Sequence, residues 1–531
     1  MRKIILPTRS WCPQWLSLTT MFLILLSVVL VNGAYLGSSI DVSGSLGTTS
    51  EDIMMAYYAC SVGMVVANPL VQKMRQVLTS KTLLLSDMAL QVLLSLVCAK
   101  TEHMEITITC CFFIGMLKTF LLLEFIILLT PLFSPGNVRS EYYSWFYPIV
   151  FAGGQISVPL TAWLAYNYQW QYTYYFVIVL MLITMFFVLI CFRNARKPEI
   201  IPLKEINYRS IFLVSLAYLM IVFVSIYGKI LDWFSSDIIC GFSIGGVLFL
   251  VLFLIHQRFA NKPYIYLRPL KHIKSVIGYL FMFICIFFNS DTTLINSYVN
   301  NILNLDSVHA NLLSLWSIPG YIFAGIIGFW WFRFQRWRFR YLISAALWMY
   351  ALYFAFVYFE ISPESKYEFL FFPMILKGMG MMLLIIAFGV YTAEDLNVPY
   401  LVSNTFFMIT TRSALAPVIS YSVLSNWLYR LQINSMNCLS DHLTLTNFDA
   451  VQRYTQSFND ALSKGWGYDT SSLLANSNIY DMLQTQGLLL SIKIIFGYLL
   501  MAAIVFAIIS SFIPFHKTVK VAVVKTNVDM A

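Results

Sequence analysis

Apolar stretches of about twenty residues alternate along this chain with mostly short polar gaps. Fourteen can be placed, near 16–38, 52–71, 82–99, 106–130, 142–166, 172–192, 210–230, 237–255, 276–298, 308–332, 341–359, 367–391, 399–426 and 487–515. A bilayer's hydrocarbon core is roughly 30 Å thick, so a helix rising about 1.5 Å per residue needs about 20 apolar residues to cross it. The pattern predicts an all-α polytopic membrane protein with 14 transmembrane helices. Two gaps carry the organisation. Residues 193–209 form a basic, proline-containing linker after six spans, and residues 431–485 form a polar outer segment rich in Asn, Ser, Thr and Asp. These gaps divide the chain into an N-terminal six-helix bundle (1–193), a cytoplasmic linker (194–209), an inserted helix pair (210–256) and a C-terminal six-helix bundle (257–530) that carries the outer loop. Within that loop Phe448, Val451, Tyr454, Phe458 and Leu462 recur at helical intervals. They predict an amphipathic helix that lies on the outer face, meets a partner or caps the outer mouth.

Composition agrees with that class, because 11% charged residues is less than half the roughly 25% of a soluble domain. The basic residues give the orientation. Of the 34 Lys and Arg, 24 fall in the gaps on one side, among them Lys73, Arg75, Lys81, Arg139, five in 193–209 and five in 258–274. Six fall on the other side and four lie within spans. Positively charged flanks resist translocation, so the rich side is expected to be cytoplasmic, with both termini there. The net charge of +9 is then a consequence of topology and implies no nucleic-acid partner. The apolar run after Arg2, Lys3 and Arg9 is long and is needed for parity, so it reads as span 1 and not as a cleaved signal peptide. Nine cysteines show no metal-ligand spacing, and neither a metal nor another cofactor is expected.

Charges inside spans carry the candidate chemistry, since placing one in lipid costs from about 2.5 kcal/mol upward. Lys118 and Glu124 share span 4, separated by about 9 Å and about 120° of helix rotation, so they are not expected to pair with each other. Asp291 lies in span 9 amid Asn289, Ser290, Thr292 and Thr293; Lys377 and Arg412 are near the middles of spans 12 and 13. Two deep acids and three bases predict ion pairs across the bundles. Glu124 and Asp291 are the proton-coupling candidates, because a proton carrier needs a desolvated carboxylate. The alternative is that each neutralises a nearby cation and ties two helices together. Lys118, Lys377 and Arg412 are candidates for such pairs or for substrate binding. Tyr57, Tyr58, Phe287, Phe288, Trp316 and Tyr321 could line a pocket for apolar ligands, although no spacing singles them out. Gly153, Gly154, Pro159, Pro319, Gly320, Gly378, Gly380 and Pro417 permit close helix approach and bending.

Several stretches resemble the fourteen-helix drug:proton antiporters of the major facilitator superfamily, the EmrB/QacA type. Residues 298–320, YVNNILNLDSVHANLLSLWSIPG, look like the family's stretch into the tenth span, with Ser307, Ala310 and Pro319 matching. LKGMGMMLL at 376–384 resembles its Arg-Gly-x-Gly helix start with Lys377 in place of Arg, and 403–427 resembles the helix with one buried Arg, here Arg412. VPLTAWLAYNYQWQYTYYF at 158–176 looks like the antiporter motif, keeping Pro159 and Trp170. The departures are as informative. The loop after span 2 has Gln72, Gln76 and Thr79 and keeps Lys81; the antiporter glycines are Val158, Ala162 and Trp163; the span 4 arginine is Cys111. No acid lies mid-span in span 1, where the family commonly has one.

The resemblance implies a secondary active transporter of the inner membrane, a proton-coupled efflux pump for amphipathic or toxic small molecules that works by alternating access. It assigns Lys73, Arg75 and Lys81 to a cytoplasmic gating loop, and Pro159, Gly153, Gly154, Pro319, Gly378 and Gly380 to antiporter-motif and hinge positions. The long outer segment implies docking to a periplasmic adaptor protein. Two other readings remain. The eroded loop motif allows a non-transporting sensor or scaffold on a carrier fold. A membrane-embedded transferase would need catalytic clusters, and the six His, near span ends or in loops, show no His-x4-Asp spacing.

Overall fold

A computed structural model describes residues 8–515 except 134–137, 195–205, 261, 334–337, 395, 445 and 514. The expected linker core at 195–205, and the basic residues Arg2, Lys3, Arg336, Lys517, Lys520 and Lys525, lie outside the described residues. The first half comprises α1 (Gln14–Leu30), α2 (Ser39–Leu46), α3 (Ser50–Ala67), α4 (Leu70–Val77), α5 (Ser80–Lys100), α6 (Met104–Phe133), α7 (Arg139–Asn167) and α8 (Gln171–Cys191). Next come α9 (Tyr208–Tyr227) and α10 (Asp237–Phe259). The second half runs through α11 (Ile273–Asn289), α12 (Thr292–Asn301), α13 (Ser307–Leu312), α14 (Ser317–Arg333), α15 (Phe339–Glu360), α16 (Phe371–Tyr391), α17 (Val398–Ile409), α18 (Ala416–Ser440), α19 (Phe448–Ser463) and α20 (Tyr468–Phe512).

Twelve helices, some continuing through a short break, are long and apolar enough to cross a membrane, and a thirteenth span is made if α3 and α4, bent by 63°, count as one. The expected fourteen are not reached by this measure, because α1 stops at Leu30 after 17 residues where the sequence predicted a span to residue 38. The backbone then turns extended at Val31. Pro69 sits between α3 and α4, where it cannot supply the backbone N–H that a continuous helix needs.

Between lipid-soaked helices the hydrophobic effect does little, so close backbone approach has to hold the bundle. The chain meets this with paired glycines at equivalent places in its two halves. A Cβ on Gly63 of α3 would overlap the Phe112 carbonyl of α6, and one on Gly115 of α6 would overlap the Cys60 carbonyl. In the second half a Cβ on Gly320 of α14 would overlap the Ile375 carbonyl of α16, and one on Gly378 would lie 2.5 Å from the Ser317 oxygen. The most enclosed helix is α16, whose apolar stretch is 67% buried. The least is α10, at 17%, with Ile244, Val247 and Phe259 pointing outward as a lipid-facing surface would. The pair α9 and α10 pack on each other, and α9 touches both α3 of the first half and α18 of the second.

The long polar segment at 431–485 is helical through most of its length. α20 has 45 residues, about 68 Å at 1.5 Å per residue, so it extends well past any bilayer. α18 extends likewise, and the predicted amphipathic helix is α19, one residue shorter than expected. Tyr454 and Phe458 stack on one another, Phe458 meets Tyr468, and Tyr454 bonds the Ser472 hydroxyl at 3.1 Å, fixing α19 against α20.

Candidate functional site

A cavity of about 250 Å³ lies between the halves. Its first-half wall comes from α6 (Thr119, Leu123) and α7 (Tyr143, Tyr147, Phe151), with Asn68 beside them; its second-half wall comes from Gly389, Asn404, Met408 and Arg412. The aromatic face follows from spacing alone, since 143, 147 and 151 are each one turn apart on α7. Arg412 lies in a π-helical turn, Thr410–Leu415, just before Pro417. That proline cannot donate to the Ser413 carbonyl and its ring presses on it, which the wider turn relieves. The Arg412 guanidinium lies 5.4 Å from the Tyr147 ring centre and 5.7 Å from Phe151. Arg139, at the start of α7, donates from Nε to the Tyr143 hydroxyl at 2.8 Å. The aromatic residues proposed from sequence (Tyr57, Tyr58, Phe287, Phe288, Trp316 and Tyr321) do not line this cavity; the α7 register was the signal that would have found those that do.

The buried charges pair within each half, not across the halves as expected. Asp291 is fully buried in the break between α11 and α12, where it binds the Lys377 ammonium and accepts from the Tyr353 hydroxyl at 2.5 Å. Lys377 also reaches Thr292 Oγ1 at 3.4 Å. Glu124, fully buried, takes Arg75 of α4 at 2.6 Å. Lys118 donates to Asn32 Oδ1 at 2.5 Å, so it and Glu124 stay apart as the helix rotation required. The two lysine sites repeat each other. In each half the first span is broken, after Leu30 and after Asn289, and a lysine on the fourth span reaches a polar residue at the break. The difference is chemical: the second half offers an acid, Asp291, and the first a neutral amide, Asn32.

The remaining predicted positions have these surroundings. Lys81 Nζ donates to the Leu189 and Phe192 carbonyls at 2.8 and 3.2 Å, closing the C-terminus of α8; Lys73 and Arg75 ride on α4. A Cβ on Gly153 would come 2.9 Å from Val29, whereas Gly154 faces open space. Pro159 is inside α7, with Pro148 a second interior proline, and Pro319 opens α14. Gly380 lies against the Ala346 carbonyl of α15. Two buried acids escaped the sequence reading, Asp87 inside span 3 and Glu394 just beyond the end of span 12. Asp87 of α5 accepts from Gln91 Nε2 at 3.1 Å and has no cation within salt-bridge distance among the described residues. Glu394, just past α16, pairs with Lys274 at 3.1 Å.

Comparison with known proteins gives the architecture a family. No curated protein matches the sequence. Among solved structures, one described under substrate recognition in proton dependent oligopeptide transporters superposes with a TM-score of 0.56 at 13% identity, covering 94% of this chain and 98% of the other. A POT family transporter in complex with a thioalcohol-conjugated peptide gives 0.57 at 12% identity, covering 79% and 91%. A mutant of the nucleoside transporter NupG gives 0.50 at 13%, covering 92% and 99%. At such identities the likeness is one of fold. The sequence itself matches the Major Facilitator Superfamily over residues 18–421. A multi-pass membrane protein with a transporter fold, two halves about a central cavity and a sequence match over most of its length, the chain belongs to the major facilitator superfamily.

Proposed function

We propose that this protein is a proton-coupled secondary transporter that exports amphipathic small molecules across the cytoplasmic membrane by alternating access. The observation that carries the reading is the cavity, because both halves line it and a relative movement of the halves would change which side it meets. Its far end is closed by bonds between halves: Ser314 donates to the Gln155 carbonyl at 3.1 Å and Asn311 to the Gly37 carbonyl at 3.5 Å. By the distribution of basic residues that end is outer, so the cavity loads from the cytoplasm. The same distribution supports cytoplasmic termini.

Counting α1 as a span gives the fourteen-helix, 6 + 2 + 6 plan of the EmrB/QacA branch. Its 17 residues make about 25 Å of helix, the extended stretch from Val31 continues the crossing, and exposed Trp11 and Trp15 suit an interfacial anchor. The inserted pair is then α9 and α10. Asp291 is the proton site of this reading: it lies at the break in a span, where protonating it would free Lys377 and let the break rearrange. Glu124 and Arg75 instead lock the α4 loop against α6. The projecting α18–α20 unit, with Phe448, Trp466, Tyr468 and Leu473 exposed, is the surface for an adaptor.

The test is flux of a fluorescent amphiphile into proteoliposomes under an imposed pH gradient. Asp291→Asn should abolish gradient-driven flux, while Glu124→Gln and Asp87→Asn retain it. Gradient-driven flux that survives Asp291→Asn moves the proton site elsewhere. Absence of flux from the folded wild type, with and without the gradient, refutes transport of the amphiphiles tried.

A further inference from the structure

We infer that the cavity selects organic anions: molecules with one carboxylate, sulfonate or phosphate group on a flat apolar body. The inference rests on the transport reading above and names its substrate class. Two cations, Arg139 and Arg412, line the cavity, and no Asp or Glu does. Among the described residues neither arginine has a carboxylate within salt-bridge distance. Glu141, two residues from Arg139 on α7, forms no salt bridge with it, and the next acids along the chain among the described residues are committed elsewhere, Glu124 to Arg75 and Glu394 to Lys274. Lys377 and Arg75 are neutralised by Asp291 and Glu124, and Lys118 has the Asn32 amide oxygen, whereas Arg412 is left to tyrosine and phenylalanine faces.

The partly enclosed setting of Arg412 makes its lack of a counter-charge consequential. A guanidinium facing aromatic rings is weakly screened, so it repels a cationic ligand and attracts an anionic one more strongly than it would in water. Its planar fork suits two oxygens of an oxyanion. The Tyr143, Tyr147 and Phe151 stripe runs alongside, giving an apolar ring a face to lie on while its charged group meets Arg412. The wider π-helical turn brings Arg412 to this position.

The experiment compares two probes that share a fluorophore and differ in charge, N-dansylglycine (anionic) and dansylcadaverine (cationic), titrated against the purified full chain in nanodiscs. The anion should bind saturably and at least about tenfold more tightly than the cation, a difference of one charge-assisted hydrogen bond. Arg412→Gln should remove that preference, and Arg412→Lys should keep part of it. Thr405→Asp, which places an acid in the same wall without touching either arginine, should weaken the anion and admit the cation. Should Arg412→Gln fail to fold, the Thr405→Asp and Arg412→Lys results decide the question. Equal or tighter binding of the cation, no saturable binding of the anion, or anion binding indifferent to the variants overturns the inference. Proteoliposome flux separates the two claims: anion binding without flux refutes transport and leaves the site assignment, while flux of the cation alone refutes the assignment and leaves transport.

Discussion

Removing Lys377 should damage the fold far more than removing Lys377 and the charge of Asp291 together. Asp291 is fully buried, and among the described residues its second oxygen is held only by Tyr353. Lys377→Met therefore strands a carboxylate away from water, and breaking one side of a buried pair costs about 3–5 kcal/mol. Asp291→Asn strands the cation less severely, because Thr292 Oγ1 remains at 3.4 Å and the Tyr353 ring at 5.6 Å. The double variant leaves no buried charge, and replacing both partners of such a pair is often neutral within about 1 kcal/mol. The coupling between the two positions should thus be about 2–4 kcal/mol. With roughly 2–4 °C of melting shift per kcal/mol for a domain of about 200 residues, Lys377→Met should lower the apparent Tm by about 6–20 °C. The double variant should melt within about 4 °C of wild type. The thirteen tryptophans supply the signal for melts followed in one detergent at fixed pH. A double variant as unstable as Lys377→Met, or a coupling below about 0.5 kcal/mol, would show that the two groups do not stabilise one another as a buried pair.

Other outcomes follow from the same geometry. Arg75→Ala should destabilise by about 3–5 kcal/mol and Glu124→Gln by only about 1–2, because Glu124 is fully buried while the Arg75 side chain is 18% exposed and can turn to water; equal losses in thermal melts would contradict this. Asn32→Ala should cost about 1–3 kcal/mol by leaving the Lys118 ammonium without its acceptor, and Lys118→Met in that background should recover most of it; a double variant no more stable than Asn32→Ala argues against the bond. Gly378→Val should separate α14 from α16 and cost about 3 kcal/mol or more, whereas Gly154→Ala, facing open space, should gain about 0.5–1 kcal/mol. Chemical-denaturant titration of the two glycine variants checks the contrast, which fails if their signs agree.

The polar interior shows where reading a chain in one dimension stops. Helix rotation alone separated Lys118 from Glu124, because both ride on one helix and 3.6 residues make a turn. It could not find Arg75 for Glu124 or Asn32 for Lys118, since those partners come from other helices through bends at Pro69 and after Leu30. The breaks themselves carry no hydropathy signal: Asn289 to Thr292 is a short polar interruption that an apolar span could equally hold as helix. Nor does hydropathy show that the polar first part of α20 is continuous helix with the apolar run that follows it.

What the sequence determined by itself was membership of the membrane class and most of the places where the chain crosses, because in hydrocarbon every backbone N–H must bond within its own segment and only a long apolar run can pay its way there. The helices at 237–259 and 371–391 were legible for that reason. Tertiary structure decided the chemistry. Which acid meets which base, whether Arg412 has a counter-charge, and which aromatic face turns inward depend on distances of a few ångströms between helices far apart in the chain, and those distances are set by the glycine contacts and span breaks that bring the helices together.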